Sequence, residues 1–112
     1  MKVSRSRIGI VNFLVPEGAL TRESLGELTS ELEASLARGE SKVIIDFHAV
    51  SGMDSAALEA LVDAHLAFRR RGGALKVANL NPICRDIFLA TRLETMFEVY
   101  ADVGKAGRSF LI

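Results

Sequence analysis

The chain has 112 residues, of which 49% are hydrophobic, and we expect one domain, residues 1–112, with one core. Fourteen basic and fourteen acidic residues cancel, so nothing in the charge points to nucleic acid or to an anionic membrane. No apolar run approaches the roughly 20 residues of a transmembrane helix, and no leader pattern opens the chain. We therefore expect a cytoplasmic protein without direct membrane insertion. The single cysteine, Cys84, excludes an internal disulfide, and no Cys/His spacing suggests a metal site.

The first half of the chain predicts a hairpin, a helix and a buried strand. Residues 1–15 have the pattern of two strands, and the alternation of serine and arginine over residues 4–7 indicates an exposed edge. Thr21 is the predicted N-cap of a helix that ends at Gly39. That helix carries one apolar stripe, formed by Leu25, Leu28, Leu32 and Leu36. The β-branched residues 43–45 predict a strand that is buried on both faces.

The second half alternates helices with strands. After a predicted turn through Ser51 and Gly52, the apolar period becomes helical, with Leu58, Leu61, Val62 and then His65 or Leu66 on one face. The pair of glycines at 72–73 ends this helix, and residues 74–79 predict a strand. A helix that starts at Asn81 and Pro82 is expected next, with Ile83, Ile87 and Phe88 inward. A short strand at residues 97–100 and a final helix within residues 103–112 follow it. This alternation predicts an α/β fold with a substantially parallel sheet.

Asp54 and Ser55 stand where the central helix begins, and they have two interpretations. Asp and Ser are frequent N-caps, because a side-chain oxygen can accept from the unpaired N–H groups of the first turn. Alternatively, Ser55 is a phosphorylation site, because a phosphate at a helix N-terminus also meets those N–H groups. Ser55 could serve both purposes.

Residues 46–58 fit the pattern D-F-x-x-V-x-x-M-D-S-x-x-L, which resembles the signature of STAS domains and, among them, the stand-alone bacterial anti-sigma factor antagonists. Three more segments resemble this family in the expected order: G-A-L-T at 18–21, G-G-A-L-K-V at 72–77 and R-L-E-T-M-F at 92–97. The resemblance implies the STAS fold, a small mixed sheet of about five strands with about four helices mainly on one face.

The resemblance also implies a function in transcription regulation, called partner switching. The unphosphorylated antagonist binds an anti-sigma factor that is also a serine kinase, the kinase phosphorylates the serine of the M-D-S motif, and a serine phosphatase resets the system. Ser55 would be the phosphorylated residue. The implied partner-binding residues are Met53, Asp54, Ser55, Ala56, Ala57 and Glu59.

Glu59 departs from the family pattern, which usually has a small residue there. It lies one helical turn beyond Ser55 on the same face, so its carboxylate comes near the proposed phosphate. We expect Glu59 either to disfavour phosphorylation or to select a more basic partner. The small side chains of Ala56 and Ala57 would still let a partner approach closely.

Catalysis is not expected from this sequence, and no cofactor is implied. A Ser-His-Asp site would need His48 or His65 beside Ser55. His65 lies ten residues further along the same predicted helix, about 15 Å along its axis, and no G-x-S-x-G elbow surrounds Ser55. Both histidines are expected in structural or surface positions. An alternative function is a STAS adaptor subunit of a transporter ATPase or of a larger signalling assembly, in which Ser55 is only a cap.

Overall fold

The computed structural model describes residues 1–111, which form one mixed sheet with helices on both faces. The strands are β1 (Lys2–Ile8), β2 (Val11–Leu20), β3 (Lys42–Asp46), β4 (Val50–Met53), β5 (Ala74–Ala78) and β6 (Val99–Tyr100). The α-helices are α1 (Gly26–Ala37), α2 (Ser55–Arg70), α3 (Pro82–Ala90) and α4 (Val103–Ser109), and a 3-10 turn covers Leu93–Thr95. The predicted final helix is therefore present, and its last predicted residue, Ile112, lies outside the described residues.

The sheet has the strand order β1-β2-β3-β5-β6, and β4 pairs with β2 off this path. β1 and β2 form the predicted antiparallel hairpin, whereas all the other pairs are parallel. β2 is ten residues long, and it pairs with β3 along its first half and with β4 along its second half. The STAS-type mixed sheet with four helices is confirmed.

The sixth strand, β4, corrects the predicted turn through Ser51 and Gly52. Both residues lie in extended backbone, where Gly52 pairs with Ala19 of β2. The turn instead spans residues 48–49, between β3 and β4. Pairing with a distant strand overrides the local preference of Ser-Gly for a turn.

Three helices cover one face of the sheet and the fourth covers the other, as the prediction of helices mainly on one face requires. The large core lies under α1, α2 and α3, where Phe47, Phe68 and Phe88 are almost fully buried. On the opposite face, Ala106 of α4 packs against Val11, Ile44 and Ala78. The β-branched run at 43–45 is buried on both faces, as predicted, because its side chains alternate between these two cores.

The predicted N-cap at Thr21 is wrong. α1 begins at Gly26, and its N-cap residue, Leu25, makes no side-chain cap hydrogen bond. Residues 22–25 form turns instead, because the backbone N–H of Thr21 donates to the Ser24 hydroxyl at 2.9 Å and Leu25 donates to the Thr21 carbonyl. The end of the helix is as predicted, since Gly39 has a φ of 75° directly after the last turn.

The inward face of α3 is confirmed at Phe88, whereas the prediction for Ile83 is wrong. Ile83 is 55% exposed, whereas Cys84 and Phe88 are buried, four residues apart on one stripe. Asn81 caps this helix and Pro82 is its first residue, as expected. In α2, His65 rather than Leu66 continues the buried stripe.

Candidate functional site

The turn that leads into α2 is positioned by the pairing of β4 with β2. Met53 stands opposite Leu20 in this parallel ladder, and the backbone N–H of Asp54 donates to the Leu20 carbonyl at 3.1 Å. Asp54 is therefore held by the sheet before the helix begins at Ser55. The chain leaves β4 in an extended conformation, with Asp54 at φ −98° and ψ 178°.

Asp54 is the N-cap of α2, and its carboxylate joins two segments of the chain. Oδ1 accepts from the backbone N–H of Ala57 at 2.9 Å, which is the cap hydrogen bond. Oδ2 accepts from the backbone N–H of Arg22 at 2.9 Å, in the turns that precede α1. The N–H of Arg22 and then that of Ala57 stabilise the charged carboxylate, and they hold the pKa of Asp54 below its ordinary value.

Ser55 is the first residue of α2, and its side chain is exposed. Since Asp54 supplies the cap hydrogen bond, Ser55 is not needed for it. Within the described part of the chain, the Ser55 hydroxyl has no hydrogen-bond partner, and it is open to solvent. The structure thus assigns the cap hydrogen bond to Asp54 and not to Ser55.

The other predicted partner-binding residues divide between the surface and the core. Glu59 is exposed one turn beyond Ser55, and Ala56 is half-buried beside it. Met53 is half-buried and packs against the large core. Ala57 is only 2% exposed and belongs to that core, so its side chain does not reach the surface. A contact between Ala57 and a partner therefore stays a prediction, and it would have to be made through the backbone, because α2 turns the side chain towards the sheet.

Arg22 is a residue of the site that sequence reasoning missed. Its backbone N–H contacts Asp54 across 32 positions of the chain, and its own side chain is exposed. No local pattern at Arg22 indicates this contact, because it depends on how β2 and β4 pair. The turn before α1 is consequently part of the surface around Ser55.

Neither histidine lies in an arrangement that would activate Ser55. The ring of His48 is about half exposed, and its Nδ1 lies 2.8 Å from Asp46 Oδ1. His65 is buried and packs against Phe97, with 4.8 Å between ring centroids. Burial, and then the charge of Arg69, lowers the pKa of His65. The structural and surface placements that the sequence predicted for these residues are confirmed.

Two further features concern only residues 1–111. No cluster of three or more His, Cys, Asp or Glu side chains there could hold a metal ion. None of the helices in this part of the chain combines the length and the apolar character that crossing a membrane requires.

A family model described as the STAS domain matches residues 4–106, which is most of the chain and includes the whole Asp54–Ser55 turn. The chain belongs to the STAS domain family. No curated protein has a significantly similar sequence.

Solved structures of anti-sigma factor antagonists have the same fold. A putative anti-sigma factor antagonist from Thermotoga maritima is similar, with 18% identity, 96% of this chain and 92% of that chain covered, and a TM-score of 0.89. An anti-sigma factor antagonist from Mycobacterium paratuberculosis has 19% identity over 96% and 92% of the two chains, with a TM-score of 0.86. The Bacillus cell fate determinant SpoIIAA in its phosphorylated form has 14% identity over 96% and 99%, with a TM-score of 0.74.

Proposed function

We propose that this STAS domain is an anti-sigma factor antagonist whose binding to its partner is controlled by phosphorylation of Ser55. The observation that carries the proposal is that the cap of α2 and the exposed hydroxyl belong to two different residues. Asp54 makes the cap hydrogen bond, and the Ser55 hydroxyl is left exposed. A kinase can therefore modify Ser55 without removing an interaction that holds the helix.

The position of Ser55 suits a modification that changes the surface and leaves the fold intact. A phosphate adds about 1.5 to 2 negative charges, and at a helix N-terminus these charges interact favourably with the helix dipole. The N–H groups of Ala57 and Ala56 already stabilise the Asp54 carboxylate, so a phosphate on Ser55 would be stabilised mainly by the partial positive charge of the helix N-terminus. Phosphorylation of Ser55 is thus expected to be compatible with the folded helix.

The same charge would weaken binding to a partner. Asp54 is ionised at neutral pH, and Glu59 is exposed one turn along the helix. A phosphate on Ser55 would join these two carboxylates in one acidic cluster. A partner surface that fits the uncharged hydroxyl then faces repulsion and a desolvation cost, and the affinity falls. The contact residues in this proposal are Met53, Asp54, Ser55, Ala56 and Glu59, with Ala57 contributing only its backbone.

The proposed partners are the proteins that a reversible phosphorylation of Ser55 requires. An anti-sigma factor that is also a serine kinase would bind unphosphorylated Ser55 and then modify it, and a serine phosphatase would restore the hydroxyl. This chain would carry out no reaction of its own, would need no cofactor, and would act in the cytoplasm where sigma factors work. The phosphorylated form of SpoIIAA, which shares the fold, supports this choice among the functions of STAS domains.

Affinity capture from a lysate of the host tests the proposal. Wild-type protein and Ser55→Asp serve as baits, with Ser30→Asp as the matched control, because Ser30 is an exposed serine on α1. We expect wild type and Ser30→Asp to capture an anti-sigma factor with serine kinase activity. Its affinity for Ser55→Asp should be at least roughly tenfold lower, because the added charge lies in the contact. A partner that binds all three baits equally would contradict the proposal and favour an adaptor.

A further inference from the structure

A pocket of about 230 Å³ lies where β3 and β5 begin, on the face of the sheet that α4 covers. Its walls include Lys42, the first residue of β3, and Gly73, which precedes β5. Ser109 and Phe110 close it from the end of α4. This position is at the far end of α2 from Ser55, so the pocket is distinct from the surface proposed for the partner.

Lys76 is a buried cation whose ammonium has too few hydrogen-bond acceptors among residues 1–111. The residue is 7% exposed, and its Nζ donates to the Ser109 hydroxyl at 2.8 Å. Nζ also lies 4.0 Å from the centroid of the Phe110 ring, which favours the positive charge. An ammonium has three N–H donors, and in the described residues only Ser109 accepts one at hydrogen-bond distance. A buried charge is costly unless such donors are satisfied.

Lys42 brings a second positive charge to the same pocket. In the parallel ladder Lys42 pairs with Ala74 and Ile44 pairs with Lys76, so both lysines project from one face of adjacent strands. The acidic side chain among the lining residues is Glu98, whose Oε2 is 3.7 Å from Lys76 Nζ. Its other oxygen accepts from the Tyr100 hydroxyl at 2.9 Å, and the side chain is 61% exposed. The pocket thus has two lysines and one loosely held carboxylate among its lining residues.

We infer that this pocket binds a small oxyanion, the carboxylate or phosphate group of a metabolite, between Lys76 and Lys42. The oxyanion would accept from the unsatisfied N–H groups of Lys76 and would displace Glu98 towards solvent. Because Ser109 and Phe110 come from α4 and the lysines come from the sheet, the bound anion would link α4 to the sheet. This inference stands whether or not Ser55 is phosphorylated.

The test is a titration with inorganic phosphate, observed by two-dimensional NMR of ¹⁵N-labelled protein, against sodium chloride at equal ionic strength. We expect saturable shifts of the amide signals of Gly73 and Ser109 with phosphate and not with chloride. A parallel titration with succinate distinguishes a preference for carboxylates from one for phosphates. Equal shifts in chloride and in both oxyanions would overturn the inference.

Matched lysine variants locate the site. Lys76→Met keeps the length and apolar packing of the side chain and removes its charge, and it should weaken phosphate binding about tenfold or more. Lys42→Met, at a less buried position, should also weaken binding, and it keeps the test valid if Lys76→Met does not fold. Lys2→Met, on the exposed strand β1, is the control and should bind as wild type does. Unchanged binding in both Lys76→Met and Lys42→Met would contradict the assignment.

Discussion

Replacing Phe68 with alanine is expected to lower the free energy of unfolding by about 3–5 kcal/mol, the largest effect of any substitution considered. Phe68 is fully buried near the end of α2 and belongs to the large core. The substitution removes most of a large apolar side chain from a close-packed interior and leaves a cavity that the neighbouring residues fill only in part. Because α2 carries Ser55 at its other end, its anchoring against the sheet fixes the proposed site.

The matched control for Phe68→Ala is Leu66→Ala on the same helix. Leu66 is 42% exposed, so its removal should cost less than about 1 kcal/mol. Urea denaturation of both variants, followed by circular dichroism, measures the difference. Similar losses from the two substitutions would mean that α2 is rotated about its axis relative to the structure described above.

Gly73→Ala is expected to destabilise the protein by about 3 kcal/mol. A Cβ at this position would lie 2.1 Å from the carbonyl oxygen of Ser41, which is a backbone atom and cannot turn away like a side chain. The contact occurs because Ala74 donates its N–H to the same Ser41 carbonyl, which brings the start of β5 against the start of β3. Gly73 is therefore required because a side chain would block the close approach of β5 to β3. Its backbone conformation does not itself require glycine, since its φ is not in the left-handed region.

Gly26→Ala provides the comparison for Gly73→Ala. Gly26 is the first residue of α1, its φ is not positive, and a Cβ there would meet no atom within 4 Å. Alanine should stabilise the protein by about 0.4–1 kcal/mol, because it restricts the unfolded chain. Thermal or urea unfolding of both variants gives the two values. A Gly73→Ala variant as stable as wild type would contradict the close approach of β3 and β5.

The sequence predicted the elements whose signals are local. The β-branched run of β3 and the Asn81-Pro82 start of α3 were identified because backbone and side-chain preferences act within a few residues. β4 was missed because Ser51 and Gly52 have the composition of a turn, and only pairing with the distant β2 makes them a strand. The prediction at Thr21 failed for a local reason: Thr21 and Ser24 hydrogen-bond to each other in a turn, and α1 begins only at Gly26.

The sequence predicts where the candidate site lies, but it does not predict which of its residues makes the cap hydrogen bond. Asp54 and Ser55 are both frequent caps, and the sequence leaves open which of them makes the hydrogen bond. The extended backbone of Asp54 decides it, and its second contact, to Arg22, depends on tertiary structure. The burial of Ala57 likewise follows from the direction in which α2 leaves β4.

The most direct test of the proposed switch is to identify the residue that the captured kinase modifies. The protein is incubated with that kinase and ATP, and the phosphate is located by mass spectrometry of peptides. We predict one phosphate, on Ser55, and none on the Ser55→Ala variant. The folded state of Ser55→Ala should be as stable as wild type, because Asp54 makes the cap hydrogen bond. Equal phosphorylation of Ser55→Ala, or a phosphate on the nearby exposed Ser51 instead, would contradict the assignment of the switch to Ser55.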